Sequence, residues 1–313
     1  MRKLLFVINP IAGGVDKSIF KAKLEAFVAR HHLEHHTYFT TGKDDEANIR
    51  DLLQIHEPSM AVAVGGDGTL LMVAKCILHS SVTLGIIPYG SANGMAAELQ
   101  IPNDKQEALE TLLNGKEIVI DTLLIDKQYP CLHIGDVGFN AKIVKRFEED
   151  KQRGLLGYAK HFFREFRFSQ RMKSIVITDK NKQKVKCHMI AFANARKYGT
   201  GALLNPIGKL DDGFFELCII KTISFRVFLL VLATFFSGTV YKTKFAKIIR
   251  CSKAQIKLKR NKTMTVQIDG EIIGERNKLD IEIISRSLRV RVPAVTSPKF
   301  TDYLVADINY EEG

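Results

Sequence analysis

The chain has 313 residues, 46% of them hydrophobic and 26% charged, a size that favours two cores over one and a balance that reads as soluble and globular. Its five cysteines (Cys76, Cys131, Cys187, Cys218, Cys251) are odd in number, widely spread and without a C-x-x-C pair, which excludes a disulfide scaffold or a zinc ribbon and fits a reducing cytosol. The net charge of +12 is unevenly placed: residues 1–120 carry 11 Lys+Arg against 14 Asp+Glu, and the remaining 193 carry 35 against 20. So basic a second half favours an anionic partner, nucleic acid or an acidic lipid surface, with a merely solvated basic face as the plain alternative.

The N-terminus begins with a basic residue pair, but its apolar run of about five residues is too short for a signal-peptide core and reads as a strand, Lys3–Ile8. A helix over Lys17–His31 follows, with Phe20, Leu24, Phe27 and Val28 on one face, then a strand at His36–Thr40 and a polar helix near Asp44–Gln54. Next come a strand at Met60–Val64, a helix after Thr69, a strand at Leu84–Ile87, and helices near Asn93–Leu99 and Asp104–Leu113. This alternation predicts a parallel, doubly wound α/β sheet with ligands at the carboxyl ends of its strands. From about Lys116 the rhythm becomes β-rich, with runs at Ile118–Ile125, Cys131–Val137, Ser174–Thr178, Val185–Ala193, Phe214–Ile220, Ala254–Leu258, Thr263–Ile268, Leu279–Ile284 and Leu288–Val292, which predicts a sandwich or barrel-like second domain. Two helical insertions interrupt it, Ala141–Arg171 and Ile223–Phe236. The second, about 14 residues, falls short of the roughly 20 needed to span a bilayer and reads as a core helix, a lipid-pocket wall or an interfacial element.

Glycine-rich loops fall at three strand ends: Asn9-Pro10-Ile11-Ala12-Gly13-Gly14, Gly65-Gly66-Asp67-Gly68-Thr69 and Pro88-Tyr89-Gly90-Ser91-Ala92-Asn93-Gly94. A strand, a glycine turn and a helix bring bare backbone amides up to a phosphate. The glycines of the second loop let the chain take φ > 0 and let a polyphosphate approach without meeting a Cβ, and Thr69 is expected to cap the helix behind them. Asp67, an acid in an anion-binding loop, calls for a metal, a donor or a moving proton opposite it, unless the segment is an ordinary turn with a solvated acid. No Walker A sequence is present.

Asn9-Pro10-x-Ala12-Gly13, Gly65–Thr69, Ile87-Pro88-x-Gly90-Ser91-x-Asn93, Asp211-Asp212-Gly213 and Asp269-Gly270-Glu271 occur in that order. Together they resemble the diacylglycerol kinase catalytic-domain family, which includes soluble bacterial lipid kinases and sphingosine kinases. The resemblance covers nearly the whole chain. It implies an ATP-binding domain over 1–120, to which about 293–313 returns, and a β-sandwich lipid-substrate domain over 121–292, with lipid in the cleft between them. It implies ATP- and Mg2+-dependent phosphorylation of a lipid hydroxyl in phospholipid metabolism, with Asn9, Pro10, Ala12, Gly13, Thr40, Thr41, Gly65, Gly66, Asp67, Gly68, Thr69, Gly90, Ser91 and Asn93 around the nucleotide. Asp269 is the expected base: it ends a strand-like run, and Gly270 makes a turn that would project its carboxylate into the cleft, although the same residues also suit a plain hairpin turn. Glu271 would support it or reach the nucleotide, and Asp67 would help hold the catalytic Mg2+ through water. The resemblance further implies a structural Mg2+ on the Asp212 carboxylate and the carbonyls of Lys209 and Phe214, against a plain Asp-Gly turn.

Acceptor choice is open. Asn93-Gly94-Met95-Ala96-Ala97 is closer to the sphingoid-base kinases, yet Gly138-Phe139 is not followed by the acid those kinases use, and Asp136 is the nearest candidate. Gly154–Tyr158 fits the family pattern, with Tyr158 near the lipid. His31-His32-Leu33-Glu34-His35-His36 reads as a solvated helix end, and the aromatic-basic Lys160–Arg171 as a lid over lipid, so no nucleic-acid partner is expected. Cytoplasmic residence, peripheral docking on an anionic membrane and a homodimer complete the expectations. An NAD kinase is disfavoured for want of an Asn-Glu pair at Asn93-Gly94; a nucleotide- or lipid-binding protein without turnover is the alternative of another class.

Overall fold

The computed structural model describes residues 3–14, 17–138, 141, 171–198, 202–221, 246–259, 262–295 and 310–312. The expected insertion Ile223–Phe236, nearly all of Ala141–Arg171, and Tyr158 lie outside them. Among the described residues no helix is long and apolar enough to cross a membrane. The chain divides into two compact units, Met1–Asp121 with Ser285–Pro298, and Thr122–Ile284 with Lys299–Gly313.

The first unit opens as predicted with β1 (Lys3–Ile8), α1 (Ser18–Arg30), β2 (Glu34–Phe39), α2 (Asp45–His56), β3 (Met60–Gly65), α3 (Asp67–Ile77), β4 (Thr83–Pro88), α4 (Gly94–Glu98) and α5 (Lys105–Asn114). The strands are parallel in the order β2-β1-β3-β4. Every residue of β3 and β4 is buried, as an apolar strand covered on both faces requires. The edge strand β2 is half-exposed, which is why histidines and a threonine are tolerated there. Phe20, Leu24, Phe27 and Val28 of α1 are buried as their spacing predicts. Asp104 caps α5 by accepting from the amides of Gln106 (2.9 Å) and Glu107 (3.0 Å).

β5 (Lys116–Ile125) leads into the second unit, followed by β6 (Tyr129–Cys131), β7 (Ile134–Gly138), β8 (Met172–Thr178), β9 (Lys182–Cys187), β10 (Met189–Ala193), the short pair β11 (Lys197–Tyr198) and β12 (Ala202–Leu203), β13 (Phe215–Ile220), β14 (Ala246–Cys251), β15 (Lys253–Leu258), β16 (Met264–Ile268), β17 (Glu271–Arg276), β18 (Lys278–Val292) and β19 (Glu311–Glu312). One sheet runs β17-β16-β7-β10-β13-β14-β19, and β9-β8-β15 pairs onto the first part of β18 in the other. Val137, Phe192, Leu217 and Val266 from the first sheet and Val176, Ile256, Leu279 and Ile281 from the second join one buried cluster, the sandwich core.

Three expectations need correcting. Val185–Ala193 is not one strand: β9 alternates exposed lysines with half-buried residues at the edge of one sheet, whereas β10 is buried throughout between β7 and β13 of the other. The break comes at His188, whose amide donates to Ile220 O at 2.9 Å. Cys131–Val137 likewise divides at Leu132-His133, whose amides turn away to a carboxylate. Conversely, Leu279–Ile284 and Leu288–Val292 belong to a single strand, β18, carried through the polar interruption by Arg286 at φ 52°, whose amide donates to Asp121 Oδ1 at 2.7 Å.

Candidate functional site

In the first unit the strand order reverses between β1 and β3, and at such a switch point open α/β sheets take ligands at the carboxyl ends of their strands. The loops after β1, β3 and β4 interlock there. Asn9 donates its amide N–H to Val64 O (3.0 Å) and its side-chain Nδ2 to Thr69 Oγ1 (3.2 Å), tying the first loop to the second. Tyr89 N donates to Gly65 O at 2.7 Å, tying the third to the second. Gly13, at φ 68°, lies so close to Tyr89 O that any Cβ would collide with it.

Why these residues are glycines differs from the expectation. Gly65, Gly66 and Gly68 are not among the positive-φ residues. A Cβ on Gly65 would strike the Thr69 side chain, and one on Gly90 would strike Gly66 Cα and come within 2.8 Å of Asn93 Oδ1. Close approach of two loops demands glycine at Gly66 and Gly90, and the Thr69 side chain demands it at Gly65. Thr69 is no cap: α3 starts at Asp67 with Gly66 as its extended N-cap, and Thr69 is buried within the first turn.

Asp67 is half-buried, and its two oxygens accept from the amides of Gly94 (3.1 Å) and Met95 (3.2 Å), the first residues of α4. That helix needs an outside cap because its own N-cap, Asn93, is left-handed at φ 50° and folds its side chain back onto Gly90, accepting from Gly90 N (2.7 Å) and donating to Gly90 O (2.8 Å). Asn93 thus shapes the loop, while Ser91 is exposed and Gly90 half-buried.

After β2, Thr40 N donates to Ile8 O at 2.9 Å, and Thr41 is exposed. Buried Asp45 organises this loop, accepting from Gly42 N (2.7 Å), Thr41 N (2.8 Å) and Tyr38 Oη (2.6 Å). Burial pushes Asp45 up, but these hydrogen bonds outweigh it and hold the carboxyl below the usual range. Spacing did not single out Asp45, nor two lysines at the same strand ends. Lys17 Nζ donates to Ala12 O (2.5 Å) and Lys105 Nζ to Pro88 O (2.5 Å), and the two ammonium groups lie 4.7 and 4.5 Å from the Tyr89 ring centroid. Burial, with Lys17 nearby, lowers the Lys105 pKa even against the attraction of Asp104.

In the second unit Asp269 stands at the β16–β17 turn with φ 50°. Its carboxylate lies against the strand entry at 131–134. It accepts from the amides of Leu132 (2.8 Å), His133 (3.0 Å) and Ile134 (3.1 Å), with Cys131 Sγ at 3.4 Å. Burial raises its pKa, against the lowering by those amides. Glu271 begins β17 and is exposed. Asp136 is fully buried on β7, where its oxygens accept from Ala141 N (2.8 Å) and Gln267 Nε2 (2.7 Å). Since Val137 faces the sandwich core, the pleat sets Asp136 on the other face of the sheet, beside Gln267 of β16, where it is enclosed. Lys209 is exposed, and Asp212 accepts from Phe214 N at 3.1 Å and from Arg250 at 2.7 Å.

The histidine cluster divides between the end of α1 and β2, where His36 stacks on His56 at 3.3 Å between centroids. Among the described residues no three His, Cys, Asp or Glu side chains form a group that could hold a metal ion.

Residues 3–125 match the model of the diacylglycerol kinase catalytic domain, and residues 135–292 that of the YegS C-terminal NAD kinase beta sandwich-like domain. A Yersinia enterocolitica protein named "Probable lipid kinase YegS-like" is 25% identical over 239 residues, 74% of this chain and 78% of that protein. An uncharacterized Synechocystis protein is 25% identical over 245 residues, 76% of this chain but only 56% of its own length. The crystal structure of a diacylglycerol kinase from Bacillus anthracis shares the fold, with a TM-score of 0.71 at 16% identity over 94% of this chain and 98% of that one. Another Bacillus anthracis structure reaches 0.75 at 18% identity over 93% and 97%. The catalytic-domain model falls on the unit with the interlocked glycine loops and the second model on the sandwich, and the chain belongs to the diacylglycerol kinase catalytic-domain family of lipid kinases.

Proposed function

We propose that this protein transfers the γ-phosphate of ATP to the hydroxyl of a lipid such as diacylglycerol, yielding a lipid phosphate and ADP. The interlocking of three bare-backbone loops at the β1/β3 switch point carries this conclusion, because polyphosphates are bound by backbone that approaches closely at strand ends. Asn9, Pro10, Ala12, Gly13, Gly65–Thr69, Gly90 and Ser91 line the phosphate side, with Thr40 and Thr41 on the loop that Asp45 holds. Lys17 and Lys105 add positive charge beside Tyr89. Asp67 suits water-mediated contact with Mg2+: it is a hard oxygen donor, half-buried at the first turn of α3, with lone pairs beyond the two amides it caps. Bound Mg2+ would neutralise phosphate charge as the transferred group moves.

Asp269 is the proposed base. Burial raises its pKa, and a more basic carboxylate takes a proton more readily; three amides fix its orientation. In the reaction the acceptor hydroxyl loses its proton to Asp269, its oxygen forms the new bond to the γ-phosphorus, and the bond to ADP breaks. Glu271, two residues on, would support it. Asp136 is fully enclosed, and the sphinganine arm of the assay below separates a neutral alcohol acceptor from a sphingoid base.

Peripheral docking from the cytoplasm on an anionic membrane has a surface to match. The registers of β8, β9 and β15 put exposed Lys173, Lys182, Lys184, Lys186 and Lys257 on one sheet face, with half-buried Ile175 and Ile177 among them. Each lysine near an anionic surface contributes about 1 kcal/mol.

The test is transfer of labelled γ-phosphate with Mg2+ into mixed micelles of diacylglycerol, monoacylglycerol, phosphatidylglycerol, ceramide, sphinganine or undecaprenol, beside Asp67→Ala and Asp269→Asn. Label in one lipid, lost in both variants, is expected. No label in any lipid from the wild type would move the conclusion to a binding protein without turnover.

A further inference from the structure

The family resemblance implies a structural Mg2+ on Asp212 with the carbonyls of Lys209 and Phe214, and the donor set around Asp212 does not fit one. One of its partners is already a cation: Oδ1 accepts from Phe214 N at 3.1 Å and Oδ2 from the Arg250 guanidinium, through Nη2, at 2.7 Å. The guanidinium is held from several sides. Its carbon lies 4.4 Å from the Phe214 ring centroid, and its Nε is 3.7 Å from Oε1 of Glu216. The antiparallel register of β13 and β14 sets Arg250 directly opposite Glu216, so strand pairing itself delivers the cation to the loop before β13. Glu216 is fixed in turn, its Oε2 accepting from buried Asn205 Nδ2 at 2.6 Å. A divalent ion on Asp212 would sit beside a delocalised cation already bonded to the same carboxylate, and like charges at that separation repel strongly inside a protein.

We infer that Arg250 stands in this chain where the resemblance places the structural cation, tying the Asp212 loop to the sandwich through a guanidinium bridge, and that no metal ion is held at Asp212. The bridge joins three pieces, the loop at Asp212, β13 through Glu216 and β14 through Arg250, which is the task a structural ion performs. None of this rests on the kinase activity.

The test is thermal unfolding of the full-length protein followed by circular dichroism, in EDTA and in millimolar MgCl2, without nucleotide. The wild-type midpoint is expected to be the same in both. Arg250→Ala and Asp212→Ala should each lower it by a few degrees, and the double variant should fall by less than the sum of the two, because the changes share one interaction. Arg250→Lys, which keeps the charge but not the planar fork, should fall between wild type and Arg250→Ala. A wild-type midpoint raised by Mg2+ and made indifferent to it by Asp212→Ala would overturn the inference, as would fully additive losses in the double variant. Should Arg250→Ala fail to fold, the wild-type comparison in EDTA and Mg2+ decides alone.

Discussion

Replacing Asp269 by Asn separates two consequences of one carboxylate. Oδ1 accepts from the amides of His133 and Ile134 and Oδ2 from that of Leu132. Asn keeps one carbonyl oxygen for the first two and presents an NH2 group to the third. One amide is left without its acceptor, at a cost of about 1–3 kcal/mol. In a protein of this size each kcal/mol lowers the melting midpoint by roughly 2–4 °C. The chemical loss is larger, since a positioned base contributes about 10²–10⁴-fold. Initial rates of labelled phosphate transfer at saturating ATP, taken well below the variant's midpoint, should therefore fall by at least a hundredfold-scale factor while ATP binding stays near wild type. The pH profile adds an independent sign. Burial raises the Asp269 pKa, so the basic form is present above that raised value and is lost as pH falls through it. Wild-type kcat should decline on the acid side at a higher pH than an ordinary carboxylate would give, and the variant should lack that limb. A folded Asp269→Asn protein with wild-type kcat and the same acid limb would refute the base.

Gly90→Ala should weaken ATP binding and lower stability by about 1–3 kcal/mol, the usual cost of overpacking, because the new Cβ collides with Gly66 Cα; unchanged ATP titration and denaturant midpoint would show that the loops do not need their close approach. Asp45→Asn should raise KM for ATP with little change in kcat, because the Thr41–Gly42 loop loses a charged acceptor. Since the folded Asp45 pKa lies below its ordinary value, its stabilisation is present above the unfolded pKa and lost as pH falls through the folded one, so wild-type and variant denaturation midpoints should converge in acid. Reversing Lys182, Lys184 and Lys186 to Glu should abolish salt-sensitive binding to anionic vesicles while leaving turnover of a water-dispersed acceptor intact; binding that survives in the variant would remove this face from the docking surface.

What was legible in the sequence was local. Met60–Val64 followed by Gly65-Gly66 announces a buried strand and a tight entry into a helix, and α3 follows at once. The reason for the glycines was not legible, because Gly66 needs Gly90 to face it and no pattern within one loop carries that. Asp67 was found by its type and position, but its two amide partners sit at the start of α4, whose left-handed Asn93 cannot serve as a side-chain cap. Asp269 was found in the same way, while the inward turn of its carboxylate depends on the chain entry at Leu132–Ile134, more than a hundred positions away. Lys17, just before α1, and Lys105, at the start of α5, share the Tyr89 ring and left no spacing to notice. The merging of β9 and β10 has a similar cause. A hydrophobic run reports burial but not which sheet buries it, so β9 and β10 merged although one pairs with β8 and the other with β7 and β13.

Asp212 brings these limits together. Asp211-Asp212-Gly213 is conspicuous, and a carboxylate in a turn invites a cation, so a motif alone supplies one from solution. The cation found there comes from β14, a strand whose Lys247 and Arg250 broke the apolar pattern and which was not anticipated. Those same interruptions make sense once the partners are known: Lys247 pairs with Glu311 at 2.7 Å and Arg250 with Asp212 at 2.7 Å. A charged residue in a sheet interior is costly unless paired, so its presence in a strand is itself a signal that a carboxylate waits opposite. Applied to this sequence, that rule would have asked which acid Arg250 answers before asking which metal Asp212 holds.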